Sequence, residues 1–396
     1  MINQIAVNGD NAYRINERLA FPRLIGSEGE KKAIEVVLKE FRKAGYESIH
    51  RDKFKTSFYN WIAIRLLFLP IGLCLVLLAI SSYINPWITI ILFFINVFVA
   101  SRALAMATTS EIKLMRNEEK NYETENIYVN LKNDDSKGTV VFIAHWDSKS
   151  QLFSSSMRII IIIIAALGAI IILLLYLILS IIQIFLPYQI LILNHVLLGI
   201  SIAISIIGIL NFFNKTGNDS PGAYDNAAGV GVVIELARYF KNNSLNNLDF
   251  IFLSTSSEEL NLGGVKSFLH HHKDKYDKES TYFINFDLIG GTDFIRIITS
   301  FGIPRKVSSK KLNDLFLNSA KELNIKAKDI YLPTGAWSDY MPVVQEGFEA
   351  CWIASQPGLK LVHTKKDDMS IVSKDSIKNT LNLCVEVVKK LNNEFS

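Results

Sequence analysis

Four stretches of this chain are apolar over about a membrane's width: residues 61–82, 87–106, 159–181 and 189–213. A helix needs roughly 20 apolar residues to cross a bilayer. A run such as IIIIIIAALGAIIILLLYLIL, residues 159–179, has no polar face to turn toward water. The pattern therefore predicts four transmembrane helices in two hairpins, closed by the short turns 81–86 and 185–189. Each hairpin returns the chain to the side it left, so residues 1–60, 107–157 and 214–396 share one compartment. The turns carry no Lys or Arg, whereas the other flanks carry Arg51, Lys53, Lys55, Arg102, Lys113, Arg116, Lys149, Arg158 and Lys215. The positive-inside rule then places the soluble part and both termini in the cytoplasm. Residues 1–20 are polar and lack the apolar core of a cleavable signal peptide.

Outside the hairpins the pattern changes to that of an α/β domain. Ser27-Glu-Gly-Glu30 has the form of a capping box, followed by the stripe Ile34, Val37, Leu38 and Phe41 and a stop at Gly45. Short β-rich runs follow at 139–144, 249–254, 282–286 and 349–354, with helical patterns at 226–241, 305–323 and 375–392. Strands that are apolar throughout and alternate with helices predict a mostly parallel central sheet with helices on both faces. The expected organisation is thus one catalytic domain in three pieces, 1–60, 108–157 and 214–396, interrupted by hairpins at 61–107 and 158–213.

Composition adds little. The hydrophobic share of 49% and the mean hydropathy of +0.24 follow from the four apolar runs, and a net charge of +4 gives no reason to expect a nucleic-acid partner. Cys74, Cys351 and Cys384 have no framework spacing, which fits a reducing compartment. Asn214-Lys-Thr, Asn218-Asp-Ser and Asn242-Asn-Ser match a glycosylation pattern too short to carry weight.

The chemistry lies at the strand ends. TVVFIA runs into His145-Trp-Asp147, DFIFLSTSS into Glu258-Glu259, and YFINF into Asp287. In open α/β sheets, sites form beyond the carboxyl ends of strands. Asp225, ahead of a helix in SPGAYDNAAG, and His363, in LVHTKKDD, are loop candidates. Each has an ordinary alternative: a surface His–Asp pair, a solvated Glu–Glu pair, a helix cap. Together they form an N/O donor set suited to zinc, with manganese or cobalt in substitution.

The order and wording of these motifs resemble the zinc aminopeptidases of peptidase clan MH, a group that includes bacterial leucyl aminopeptidases, glutamate carboxypeptidase and the transferrin-receptor ectodomain. The resemblance rests on PRLIGSEGEKKA, VVFIAHWDS, SPGAYDNAAGVGVVIELAR, FIFLSTSSEELNLGGVKSF, INFDLIG, WSDYMPV and HTKKDD, and it covers nearly all the soluble chain. It implies two zinc ions, one held by His145 and Asp287, the other by Glu259 and His363, with Asp225 bridging. It also implies a second pair of roles, Asp147 behind His145 fixing its tautomer and Glu258 as general base for attack by a metal-bridging hydroxide. A cis peptide after Asp225 is a further expectation. The implied activity is removal of N-terminal residues from peptides.

Two departures from the family stand out. Tyr340 occupies the place where histidine usually follows Ser-Asp, and the spacing from His145 to Asp225, 225 − 145 = 80 residues, contains the second hairpin. The chain runs only a short way from Asp147 to Arg158 and from Phe213 to Asp225. The site mouth is accordingly expected close to the bilayer, and two substrate classes follow: membrane-associated peptides, or ordinary cytosolic peptides if the hairpins merely anchor the enzyme. Alternatives within the clan are a glutaminyl-cyclase-like enzyme with one zinc and a carboxypeptidase or other amidohydrolase; outside catalysis, a receptor or scaffold. The spans hold too few ionisable groups for a transporter. His270, His271 and His272 read as the solvated end of a helix, and His195 as an interfacial or cavity-facing residue.

Overall fold

The computed structural model describes residues 6–108, 122–186, 191–291, 294–333, 338–355 and 359–395. In chain order the elements are α1 (Gly9–Leu19), α2 (Glu28–Lys43), β1 (His50–Thr56), α3 (Tyr59–Ser81), α4 (Pro86–Thr108), β2 (Tyr122–Leu131), β3 (Gly138–His145), β4 (Ser150–Gln151), α5 (Ser155–Phe185), α6 (Leu191–Ile209) and β5 (Thr216–Gly217). Then come α7 (Ala228–Asn242), β6 (Leu248–Thr255), α8 (Gly263–His272), β7 (Thr281–Phe286), β8 (Ile295–Phe301), β9 (Lys306–Val307), α9 (Lys310–Glu322), β10 (Ala327–Leu332), α10 (Tyr340–Gln345), β11 (Glu349–Ser355) and α11 (Lys374–Glu394). They divide into two compact units, one of Met1–Ser57, Ile112–Ser150 and Gly217–Ser396, the other of Phe58–Glu111 and Gln151–Thr216.

The first unit is built on a nine-stranded sheet in the order β1-β2-β6-β3-β7-β11-β8-β10, with β9 hydrogen-bonded to β8. Its centre, β6-β3-β7-β11, is parallel. The expectation of a mostly parallel sheet needs correction at the flanks: β2 runs antiparallel to β6, β1 to β2, and β8 to β11 and β9, so the sheet is mixed. The first of these strands, β1, escaped the sequence pattern for a physical reason. β1 is an edge strand whose HRDKFKT text is largely exposed, and edges tolerate charge where central strands do not.

Both faces of the sheet are covered. On one, Phe142, Phe250 and Phe252 stack with Phe240 of α7, the Phe142–Phe252 rings 5.3 Å apart and Phe240–Phe250 4.6 Å. On the other, Val141, Ile143, Ile251, Leu253 and Phe283 pack with Val265 and Phe268 of α8 and Met341 and Val344 of α10. This alternation follows the two-residue period of a strand, and it turns Val141, Ile143 and His145 to the same side. Ser27 caps α2 by accepting from the Glu30 amide, while the Glu30 carboxylate reaches back to Gly26 and not to Ser27. α9 starts at Lys310, later than the pattern suggests, because Ser309 caps it.

The second unit holds α3, α4, α5 and α6. α3 packs on α4 and α6, and α5 on the same two helices. Leu75, Leu78, Ile172, Tyr176 and Leu197 form its interior, while residues such as Leu73, Phe98, Ile171 and Ile192 face outward. Two of its helical segments, Ser155–Phe185 and Leu191–Phe213, are long and apolar enough to cross a membrane. The apolar segments Arg65–Ser81 and Pro86–Arg102 are shorter. The turn residues 187–190 and the flanking Lys113 and Arg116 lie outside the described residues. Lys149, counted above among the flanking charges, is buried in the first unit.

Candidate metal centre

Parallel register delivers the site. His145 at the end of β3 is level with Thr255 at the end of β6, and Ile143 with Asn285 of β7. The residues just beyond those strands, Asp147, Glu258, Glu259 and Asp287, therefore converge at one edge of the sheet. Asp225 comes from the irregular turn Ala223–Ala227 ahead of α7, and the Asp225–Asn226 peptide is cis. α7 can approach this turn because Gly229 has no Cβ, which would lie 2.3 Å from Asn226 Oδ1. His363 comes from the loop between β11 and α11. Ser257, Leu288 and His363 all have left-handed backbones, with φ of 58°, 60° and 63°. Such conformations persist in non-glycine residues where the surroundings over-determine them, commonly at functional sites.

The five candidate ligands meet as two groups that share one residue, His145–Asp225–Asp287 and Asp225–Glu259–His363. His145 Nε2 lies 3.2 Å from Asp225 Oδ1 and 3.6 Å from Asp287 Oδ1. His363 Nε2 lies 3.3 Å from Asp225 Oδ2 and 3.0 Å from Glu259 Oε2. Two ligand atoms at 2.0–2.1 Å from one tetrahedral zinc are separated by about 3.3 Å, so these spacings are those of atoms converging on a common ion. His145 Nε2 and Asp287 Oδ1 are buried and have no hydrogen-bond partner among the described residues. Glu258 Oε2 stands 3.9 Å from His145 Nε2.

The supporting contacts fix the ligands' orientation. Ser338 Oγ donates to Asp287 Oδ2 at 2.6 Å and itself accepts from Asn285 Nδ2. Lys149 Nζ meets Glu259 Oε2 at 2.8 Å and the Glu259 carbonyl at 3.0 Å. His145 Nδ1 lies 3.1 Å from the backbone carbonyl of Asp147 and 3.5 Å from its carboxylate. That carboxylate accepts instead from the amides of Glu258 and Glu259, both at 3.2 Å, and so splints two strand-end loops together.

Electrostatically the site is short of positive charge. Asp147, Asp225, Glu258, Glu259, Asp287, Asp339 and Asp367 are seven buried carboxylates, against three buried cations, Arg23, Lys149 and Lys266. The carboxyl groups exceed the cations by 7 − 3 = 4, and without metal, bound protons offset part of that excess. Burial, reinforced by Asp287, Glu259 and Asp339, pushes Glu258 well above the usual carboxylate range. Burial likewise raises Asp287, takes Asp339 to about 7 and Asp367 to about 8. Burial acts in the same direction on Asp225, but its contacts with His145 and His363 outweigh it and hold this carboxylate far below its usual value.

Other sequence candidates lie elsewhere. His271 and His272 are in the last turn of α8, with His271 against the Ser267 carbonyl and His272 against Asp52. His195 sits in α6 against the Leu191 carbonyl and the Tyr83 ring. Tyr340 is fully buried between the rings of Phe301 and Trp352, each 5.5 Å away, so the family's histidine position has become part of the apolar core. Arg23, Lys266 and Asp367 lie inside quoted motifs but went unassigned, because the groups they face are distant in sequence.

Comparison with known proteins agrees with this geometry. Residues 207–388 match the model of Peptidase family M28. This stretch, just under half of the chain, resembles an M28 peptidase domain. The match includes Asp225, Glu258, Glu259, Asp287 and His363, while His145 lies before it. Aminopeptidase YwaD of Bacillus subtilis (strain 168) is 26% identical over 180 residues, 43% of this chain and 39% of the relative. A vacuolar membrane protease of Candida glabrata is 25% identical over 177 residues, 44% of this chain and 18% of the relative. The matched region thus spans well under half the length of either relative. Among solved structures, the fold is shared with the zinc aminopeptidase BSAP from Bacillus subtilis (TM-score 0.56, 14% identity, 98% of this chain and 96% of that one). It is shared equally with an aminopeptidase from Aneurinibacillus sp. strain AM-1 (0.57, 14%, 97% and 94%) and with a glutaminyl cyclase from an Acidobacteriales bacterium (0.55, 14%, 99% and 97%).

Proposed function

We propose that this chain is a membrane-anchored di-zinc aminopeptidase that removes N-terminal residues from peptides. The observation that carries the reading is the pair of three-ligand groups sharing Asp225, set among buried carboxyl groups that outnumber the buried lysines and arginines around them. His145, Asp225 and Asp287 would hold one zinc and Asp225, Glu259 and His363 the other. The pair would supply Lewis-acid polarisation of the scissile carbonyl and an activated water. Glu258, itself outside both groups, takes the proton of the attacking water and delivers it to the departing amine. Its burial beside other carboxylates raises its affinity for a proton, which makes its ionised form the stronger base. Asp147 and Ser338 keep His145, the Glu258–Glu259 loop and Asp287 in place.

The four apolar helices of the second unit are proposed to anchor the enzyme as two hairpins, with the catalytic unit and both termini in the cytoplasm. Support for the membrane reading comes from the two long apolar segments and the outward-facing apolar side chains. A one-metal glutaminyl cyclase is the competing reading, favoured by the shared fold alone. Purified protein in detergent decides between them. Two zinc ions per chain and hydrolysis of free but not N-acetylated peptides support the aminopeptidase. One zinc with cyclisation of N-terminal glutamine supports the cyclase.

A further inference from the structure

Arg23 lies in the loop between α1 and α2, remote in sequence from every candidate ligand, and is fully buried. A buried arginine ordinarily meets a carboxylate within hydrogen-bond reach. Arg23 instead aims its guanidinium at five backbone carbonyls. Nη1 donates to Leu19 at 2.8 Å, to Phe21 at 3.1 Å and to Pro221; Nη2 donates to Gly222 at 2.8 Å; Nε donates to Trp146. The backbone joins in: the Arg23 amide donates to Ser148 Oγ at 3.2 Å, and that hydroxyl donates to the Ser220 carbonyl at 3.2 Å.

Trp146 directly follows His145, and Gly222 lies three residues before Asp225. One planar group therefore joins the segment that carries the first histidine to the segment that carries the shared aspartate. The fit is tight. Gly222 has φ of 58°, and a Cβ there would sit 2.6 Å from the Asp225 carbonyl and 3.0 Å from Arg23 Nη1.

We propose that Arg23 is a positioning residue that sets the separation of His145 and Asp225 through the carbonyls of Trp146, Pro221 and Gly222. The inference rests on the metal reading for its purpose, but its structural half stands alone. Its charge also faces Asp367, Asp147, Asp225 and Glu259, so the same side chain offsets part of the carboxylate excess. Lysine cannot replace it, because an ammonium has three donors on a single point and cannot span two segments.

The test compares wild-type protein with Arg23→Lys and Ser148→Ala in detergent. Hydrogen exchange of the metal-free proteins should quicken at least tenfold in residues 145–148 and 221–227, with β6 and α11 unchanged. Cobalt titration followed by visible absorption should show affinity reduced by about 10–100-fold in Arg23→Lys, the usual range for loss of a group that orients ligands. Phe268→Leu, in the core between α8 and the sheet, serves as a control that lowers the melting temperature and leaves cobalt affinity intact. Should Arg23→Lys fail to fold, Ser148→Ala decides through exchange. Wild-type exchange rates in both segments of the folded variants would overturn the proposal. Quickened exchange in a protein whose wild type binds no cobalt would uphold the positioning role and overturn the metal reading instead.

Discussion

Stripping metal from the protein should destabilise it in a way the buried charges allow to be calculated. Seven carboxyl groups against three cations would leave four uncompensated negative charges at the sheet edge if all were ionised. Two like charges 4 Å apart interact by about 4 kcal/mol at an effective dielectric of 20. The metal-free site cannot hold all of these charges at neutral pH and relieves them by taking up protons. Asp339, raised to about 7, and Asp367, raised to about 8, are where this uptake is expected. Their usual value is 3.8, so between about pH 4 and pH 8 the folded metal-free protein binds more protons than the unfolded chain. Stability then falls as pH rises through that window and levels off above it. Metal reverses the balance: at free zinc 1,000-fold above the dissociation constant, each ion contributes about 4 kcal/mol to stability. At roughly 2 °C per kcal/mol for a domain of this size, chelation should lower the melting temperature by about 8 °C per ion lost. Differential scanning fluorimetry in detergent from pH 5 to pH 9, with and without chelator, reads both effects. Zinc binding should also release protons, seen as a buffer-dependent binding enthalpy. A melting temperature that ignores complete zinc removal, or a chelated protein that gains stability from pH 5 to pH 8, would refute the charge argument.

Glu258→Gln should cut turnover by about 10²–10⁴-fold while zinc content stays near that of wild type, because it removes a proton carrier and no ligand; plasma emission of the purified variant against a peptide assay checks both halves. Asp225→Ala should lose both ions together, since the two groups share this carboxylate; retention of one zinc at full occupancy would separate the groups. Phe142→Ala, at the centre of the aromatic stack on β3, should cost about 3–5 kcal/mol by denaturant melting with the metal ligands untouched. For the topology, a cysteine at the exposed Ile84 should react with an impermeant reagent from outside intact cells and one at Asn393 should not; the reverse pattern would invert the assigned orientation.

What could be read along the chain was whatever a local pattern encodes. β3, β6, β7 and β11 were legible because a strand buried on both faces is apolar at every position, and each was placed within about a residue of its ends. The candidate ligands were legible only as a set: each alone has an ordinary structural use, and their joint order, resembling the motifs of the zinc aminopeptidases, nominated them. β1 and β10 were not, because an edge strand may be charged on its open side, and HRDKFKT and AKDIYL read like loops or helix faces. α1 was missed because its apolar stripe, Ala12, Ile15 and Leu19, is short and diluted by Asn and Arg.

The supporting residues were illegible in a stricter sense. Lys149 looked like one of several basic flanks next to an apolar run, and only the pairing of β3 with β6 brings its Nζ against Glu259. Arg23 looked like an ordinary charge in a loop, because its five acceptors are carbonyls and a carbonyl has no residue identity to search for. Asp339 and Asp367, each inside a quoted motif, received no role from the sequence, and only the fold shows that both are buried. Local sequence can therefore nominate the atoms that face a metal, but the groups that orient those atoms act through backbone and through distance. A variant that leaves every motif intact can still dismantle the centre. Arg23→Lys is the sharpest such case, since it preserves charge, leaves all five candidate ligands in place and removes only the planar geometry that joins their segments.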